Sequence, residues 1–190
     1  MKQAKVLTQK EIKRVVQWIE INNHAARNRA IFMCSLLAGM RACEIAALQV
    51  NDVRSREGEI RPQVYLSQLH TKGNHSRYVY INSKLKHELE RYFIAVPPEH
   101  SHNALFYSQK GPIEGFSANT IAQLFGQIYR GAGIDGASSH SGRRTLLTGL
   151  ADKGVNVRVI MQIAGHRSMA TTQRYIETNP EMIMRAIELV

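Results

Sequence analysis

The sequence has little cysteine and no long apolar run, and each absence excludes a class of protein. Cys34 and Cys43 are the two cysteines in 190 residues. They lack a C-x-x-C spacing, so a disulfide framework is disfavoured and reduced thiols in or beside the core are predicted. The longest apolar stretch, residues 30–40, is too short and too interrupted to cross a bilayer. The N-terminus does not have the layout of a signal peptide. A cytoplasmic location and no membrane partner are therefore expected.

Acidic residues are also few compared with basic ones. Fifteen Asp and Glu stand against 25 Lys and Arg, which gives a formal charge of +10. A domain this basic commonly meets a polyanion, and nucleic acid is the first candidate. The alternative is a basic surface that is merely solvated. At 190 residues and 44% hydrophobic content, the chain is long enough for one well-buried domain and short for two.

Helical patterns dominate the chain. Thr8 and Glu11 match a capping box, so a helix is predicted to begin there. Apolar periodicity predicts a second helix at about 25–37 and a third from near Arg41. Later helices are predicted to follow caps or starts at Ser83, Ser117 and Ser141.

A β-rich stretch interrupts the helices. Residues 64–66 and 78–81 are rich in valine and tyrosine and flank a turn at Gly73, which predicts an antiparallel hairpin. Residues 105–106 are a candidate short strand. The predicted fold class is α+β, mainly α-helical, with a small antiparallel β-sheet, in one domain over residues 1–190.

Two basic residues occupy turns where they could hold a phosphate. Arg41 follows a glycine turn at Gly39 and begins a helix, where a guanidinium can grip an anion with two hydrogen bonds. It could instead pair with Glu44, an interaction worth little at a surface. Lys72 lies at the tip of the predicted hairpin, within reach of a DNA groove or a phosphate. It could equally be an ordinary solvated lysine.

Two histidines and a tyrosine follow. His140 and Arg143 are spaced to share one face of a helix, and could transfer a proton and neutralise charge on a phosphate. Arg144 competes with Arg143, and spacing does not decide between them. Tyr175 lies nine residues after His166 (175 − 166 = 9). A free phenol, with a pKa of about 10, needs a base or cations nearby to be a nucleophile. Each of these residues could instead cap a helix or pack against its neighbours.

A metal hydrolase is a further reading, since the chain has eight histidines. The pairs His100 and His102, and His70 and His75, could suggest ligands. No H-E-x-x-H or paired-carboxylate arrangement accompanies them, so no metal site is expected.

Together these segments resemble the catalytic domain of the tyrosine site-specific recombinases, also called the phage integrase family. Residues 39–52 match its first box, and Thr71-Lys72-Gly73 matches its hairpin lysine. His140 and Arg143 match its His-x-x-Arg box, which settles the choice over Arg144. The later glycine–histidine pair and the tyrosine match Gly165-His166 and Tyr175.

The resemblance covers nearly the whole chain, with two departures. The family usually has leucine where Gly142 stands, and often histidine where Arg144 stands. The family's N-terminal DNA-clamping domain, also called the core-binding domain, has no counterpart in residues 1–190.

The resemblance implies a DNA breaking-rejoining fold and a site-specific recombinase or integrase that needs no metal or nucleotide cofactor. Tyr175 would attack the scissile phosphate and form a 3′-phosphotyrosyl link, while Arg41, Arg143 and His166 hold the phosphate. His140 would help to remove the phenolic proton, and Lys72 would protonate the leaving 5′-oxygen.

The implied partner is double-stranded DNA at the recombination sites of a mobile genetic element, met in the cytoplasm at the nucleoid. Assembly into a homotetramer on DNA is also implied, with the amphipathic segment 180–190 docked on a neighbouring protomer. That segment could instead fold on its own core. A type IB topoisomerase and a DNA-binding regulator that does not cut are the alternative functions.

Overall fold

The structure of the chain is a computed structural model that describes residues 3–67, 76–96, 103–108, 114–175, 183–184 and 187–188. Its helices are α1 (Gln9–Glu20), α2 (Ala25–Ala38), α3 (Ala42–Ala47), α4 (Val50–Val53), α5 (Ser83–Ala95), α6 (Ala118–Gly131), α7 (Ser141–Asp152), α8 (Val157–Ala164) and α9 (Met169–Gln173), and its strands are β1 (Gln63–Leu66) and β2 (Arg77–Tyr80). The mainly helical class with one small sheet is confirmed. The hairpin turn, with Lys72, lies outside the described residues.

Side-chain caps fix where several helices begin. The Thr8 hydroxyl accepts a hydrogen bond from the Glu11 backbone N–H, and the Glu11 carboxylate accepts one from the Thr8 N–H, so the predicted capping box is confirmed. Ser117 caps α6, as expected. The predicted cap at Ser83 is wrong by one residue. Asn82 caps α5 instead, because its amide oxygen accepts from the Leu85 N–H at 2.9 Å.

Strands β1 and β2 pair antiparallel, with Val64 opposite Val79 and Tyr65 opposite Tyr78. The valines face the core, while the tyrosine rings lie outside with their centroids 5.2 Å apart. The pairing confirms the predicted sheet.

Residues 105–106 do not form the expected strand. Isolated bridges flank them at Ala104 and Tyr107, and both Leu105 and Phe106 are buried. Their apolar character therefore reflects core packing rather than a strand.

The apolar residues form a large core and a small one. The large core lies among α1 to α6 and the sheet, and it contains Cys34; Cys43 is half-buried and also free of a disulfide. The small core joins α7 and α8 through Leu147, Ala151, Ile160 and Ala164, and Tyr175 packs against it. None of the described helices combines the length and apolar character needed to span a bilayer.

Helix α7 packs closely on α2 at Gly142, the first departure from the family pattern. A Cβ at this position would lie 2.7 Å from Ser35 Oγ, 3.1 Å from Ser35 Cβ and 3.2 Å from the Leu36 backbone nitrogen. A larger residue would force the two helices apart. Close packing therefore explains why glycine precedes Arg143.

We expect Gly142→Ala to lower the free energy of unfolding by about 1–3 kcal/mol, because the added methyl overpacks the contact between α7 and α2. Gly149→Ala on the same helix is the matched control, since a Cβ there meets nothing within 4 Å. In the control, the free energy of unfolding should rise by up to about 1 kcal/mol, because alanine has a higher helix propensity than glycine. Denaturant unfolding of both variants checks this, and equal stabilisation by the two alanines would contradict it.

Candidate active site

Two helices that end in a left-handed glycine direct carbonyl groups at Arg143. Gly39 ends α2 with φ +62°, and Gly165 ends α8 with φ +61°. Arg143 Nη1 donates to the Gly39 carbonyl, and its Nη2 donates to the Ala164 carbonyl, each at 2.5 Å. The guanidinium is thereby held in the interior, with Arg143 only 3% exposed.

Arg41 reaches the same place from α3. Its Nη1 donates to Glu44 Oε1 at 2.9 Å, and its backbone N–H donates to Glu44 Oε2 at 2.7 Å. Its Nη2 contacts the Ala164 carbonyl oxygen at 3.4 Å. Arg41 and Arg143 therefore meet at one carbonyl group, although 102 positions separate them in the sequence (143 − 41 = 102).

Arg77 on β2 completes the cluster, and the sequence analysis missed it. Its Nε and Nη2 donate to the two oxygens of Glu44 at 2.9 and 2.8 Å, and its Nη1 donates to the Ile163 carbonyl at 2.8 Å. Burial of Glu44 tends to raise its pKa, but hydrogen bonds and charge from Arg77 and Arg41 outweigh burial and lower it. The signal that could have revealed Arg77 is strand alternation, because it shares the inward face of β2 with Val79.

The cluster carries an excess of positive charge. Among the described residues, three guanidinium groups, those of Arg41, Arg77 and Arg143, lie near one carboxylate, that of Glu44. Burial, together with repulsion from Arg41 and Arg77, lowers the pKa of Arg143 to about 9. An anion placed beside these groups would relieve that repulsion.

His166 follows the glycine turn and lies between Arg143 and α9. Its Nε2 is 3.1 Å from Arg143 Nη2, and its Nδ1 is 3.0 Å from Thr172 Oγ1. Burial and then the charges of Arg143, Arg41 and Arg77 lower the pKa of His166 to about 4. Thr172 is fully buried, and no sequence pattern identified it.

Tyr175 stacks on His166. The ring centroids are 5.6 Å apart and the planes are inclined by 19°. The tyrosine is half-buried, and its backbone N–H donates to the Thr172 carbonyl. The structure thus brings together four of the six predicted residues: Arg41, Arg143, His166 and Tyr175.

The remaining two predicted residues have different positions. His140 is the N-cap of α7 and is exposed, and the buried Arg143 follows it on the first turn of that helix. Lys72 lies outside the described residues, as do the histidines of the metal-hydrolase reading, His70, His75, His100 and His102. Among the residues that the structure does describe, no group of three His, Cys, Asp or Glu could hold a metal ion.

Known proteins share this fold and sequence pattern. The phage integrase family matches residues 5–182. A tyrosine recombinase XerC from Lactobacillus delbrueckii subsp. bulgaricus is 33% identical over 156 residues, which cover 78% of this chain and 50% of the relative. The crystal structure of XerA recombinase aligns with a TM-score of 0.78 at 25% identity, covering 100% of this chain and 66% of that one.

A second solved structure supports the fold alone. The Tn1549 transposon integrase in complex with a circular intermediate DNA has a TM-score of 0.78 at 17% identity, and the alignment covers 100% of this chain and 67% of that one. The expected recombinase-type fold is confirmed by both structures. The chain spans about half the length of the XerC relative.

Glu44→Gln should lower the free energy of unfolding at neutral pH by about 3 kcal/mol, because two partly buried arginines, Arg41 and Arg77, lose their anionic partner. The pKa of Glu44 is lower in the folded protein than in the unfolded chain. Its stabilisation is therefore complete above the ordinary glutamate value, about 4.3, and is lost as the pH falls through the folded-state value. Denaturant unfolding across this pH range should show that the unfolding free energy falls less steeply with decreasing pH in the variant than in the wild type.

Glu90→Gln is the control for removing one carboxylate, because Glu90 lies partly exposed on α5, where it pairs with Lys86 at 3.8 Å. In this control, the unfolding free energy should fall with decreasing pH about as steeply as in the wild type. If the unfolding free energy fell equally steeply with decreasing pH in Glu44→Gln and in the wild type, the role given to Glu44 would be contradicted.

Proposed function

The chain belongs to the phage integrase family, and from this premise we propose that it is a site-specific DNA recombinase that cuts and rejoins strands through a 3′-phosphotyrosyl intermediate. The convergence of Arg41, Arg143 and His166 beside Tyr175 is the observation that carries the proposal. These groups supply cationic donors for a phosphate and an aromatic hydroxyl in one place.

A phosphodiester is the anion that fits the charge of this cluster. Arg41 and Arg143 bind its non-bridging oxygens, which gain charge as phosphorus becomes pentavalent. Repulsion among the guanidinium groups contributes to the lowered pKa of Arg143, and a phosphate anion removes that penalty. The site therefore stabilises the charge that develops during transfer, which is where most of the catalysis of phosphoryl transfer arises.

The reaction exchanges one phosphate ester for another. The Tyr175 oxygen bonds to phosphorus as the bond from phosphorus to the 5′-oxygen breaks. The phenolic proton passes to His140, and Lys72 gives a proton to the leaving 5′-oxygen; both roles rest on the family resemblance. The 5′-hydroxyl of a second strand then attacks the phosphotyrosine and restores the backbone. The energy of the ester is retained, so no nucleotide is consumed.

The proposed partner is duplex DNA at recombination sites, reached at the nucleoid and bound by a homotetramer. The excess of basic residues supports binding to a polyanion. The segment 180–190 is the proposed contact between protomers. Its described residues include Ile183, Met184 and Ile187, which are 56%, 61% and 66% exposed. Exposed apolar side chains on one short segment are suited to an intermolecular contact.

The nucleophile is tested by trapping the covalent intermediate. The probe is a nicked duplex carrying the flanking sequence of the element that encodes this chain, so that cleavage releases a short fragment and cannot reverse. The wild type should form a covalent protein–DNA adduct, and Tyr175→Phe should form none. Arg143→Lys should slow adduct formation by about 100-fold, because lysine lacks the second donor group that holds the charge in place. Denaturing gel electrophoresis measures the adduct.

Tyr65→Phe is the matched control, since it removes a phenolic hydroxyl from an exposed tyrosine on β1, and it should retain the adduct. Specific DNA binding with no adduct would overturn the proposal in favour of a regulatory binding protein. Relaxation of supercoils without strand exchange would favour a type IB topoisomerase. Adduct formation that a strong chelator abolishes would contradict a metal-free reaction.

The tail contact is tested with Ile183→Asp combined with Ile187→Asp. We expect this variant to bind a single site as the wild type does but to lose the complex that pairs two sites, because charges replace the apolar contact. Ile94→Asp is the control, as Ile94 is 82% exposed on α5 and lies outside the segment 180–190 in the sequence. Native gel electrophoresis and mass photometry separate the two complexes. Paired complexes that persist in the double variant would contradict the role of the tail.

A further inference from the structure

The contacts of His166 fix which ring nitrogen carries hydrogen. Arginine has donors but no acceptor, so the nitrogen that faces Arg143 Nη2, which is Nε2, must accept. A neutral imidazole then carries its hydrogen on Nδ1. Nδ1 lies 3.0 Å from Thr172 Oγ1, so the hydroxyl oxygen of Thr172 accepts that hydrogen bond.

The surroundings of His166 favour the neutral ring. Among the residues that the structure describes, the charged side chains that act on it are those of Arg143, Arg41 and Arg77, and all three are cationic. The lowered pKa of His166 has burial as its first cause and these charges as the next. The DNA-free protein therefore holds a neutral imidazole with hydrogen on Nδ1.

This tautomer is the wrong one for binding a phosphate. A phosphate oxygen accepts hydrogen bonds, so a ring nitrogen that binds it must carry hydrogen. His166 could gain a proton at Nε2 and become a cation, but three arginines oppose that charge. It could instead move its single hydrogen to Nε2, which leaves the ring neutral.

We propose that Thr172 is a positioning residue that enables this tautomer exchange in His166 when a phosphate enters the site. In the DNA-free protein its hydroxyl accepts from Nδ1–H. When phosphate is bound, Nδ1 loses a proton to water, Nε2 takes a proton from water, and the hydroxyl turns to donate its hydrogen to Nδ1. The phosphate-binding half of this inference rests on the proposed function.

The position of Thr172 suits this role. A hydroxyl can donate or accept, so it satisfies Nδ1 in both tautomers. Thr172 is fully buried, whereas the His166 ring is half-buried. Thr172 also lies on α9, whose next residues lead to Tyr175, and its carbonyl accepts from the Tyr175 N–H at 3.0 Å. Thr172 therefore contacts the histidine ring through its hydroxyl and holds the Tyr175 backbone through its carbonyl.

The DNA-free test compares Thr172→Val with Thr172→Ser. Valine keeps the branched shape but has no hydroxyl, and serine keeps the hydroxyl. Nitrogen NMR of protein labelled in its histidines, with His166→Gln to assign the signal, reads the tautomer directly. Wild type, Thr172→Ser and Thr172→Val should all show hydrogen on Nδ1 and a bare Nε2, because Arg143 faces Nε2 in each of them. Hydrogen on Nε2 in the DNA-free wild type or in Thr172→Val would overturn the inference.

The DNA-bound test uses Tyr175→Phe with the nicked duplex of the adduct assay. The His166 signal should change to hydrogen on Nε2 alone. A ring that keeps hydrogen on Nδ1, or that carries both hydrogens, would overturn the exchange.

Kinetics complete the test. Thr172→Val should slow single-turnover adduct formation by about tenfold, the factor expected for one lost hydrogen bond, with unchanged affinity for the duplex. Thr172→Ser should stay within about twofold of the wild type. Equal rates for the valine and serine variants would overturn this inference but leave the proposed function unaffected. A wild type that forms no adduct would overturn the proposed function, while the DNA-free spectra would still decide which ring nitrogen of His166 carries hydrogen.

Discussion

A single buried carboxylate holds the active-site region together. Glu44 accepts hydrogen bonds from Arg41 on α3 and from Arg77 on β2, and Arg77 extends the connection to the end of α8. A carboxylate or a guanidinium group buried without a partner would cost free energy. The ion pairs between Glu44 and the two arginines instead join three parts of the chain that are distant in sequence. The placement of the other cationic groups depends on this pairing, because without it three guanidinium groups would face one another unopposed.

Polarised backbone groups supply the rest of the compensation. The carbonyl ends of α2 and α8 carry partial negative charge, and Arg143 donates to one carbonyl from each. Both helices end in a left-handed glycine, which permits the sharp turn that exposes these carbonyls. Arg143 is therefore already oriented in the DNA-free protein, and little reorganisation is needed when a phosphate binds.

The sequence predicted the fold class and the residues whose role follows from local pattern or from family boxes. It could not predict the contacts that depend on tertiary structure. Glu44 was weighed as a weak surface partner of Arg41, yet it is fully buried and paired twice. Arg77 was not identified from the sequence, although strand alternation points it inward. Thr172 had no signal at all, since a threonine in a short helix acquires meaning only from the ring that folds against it. The strand expected at residues 105–106 failed because buried apolar residues look alike in strands and in loops.

The tyrosine does not rest on the main core. It packs on the small cluster formed by Leu147, Ala151, Ile160 and Ala164, which α7 and α8 build between them. A unit with so few apolar contacts can open at a free-energy cost well below that of global unfolding. Tyr175 can therefore leave His166 and return while the remainder of the domain keeps its shape. For the nucleophile proposed above, this means that the resting protein does not have to hold the phenol permanently in its reactive position.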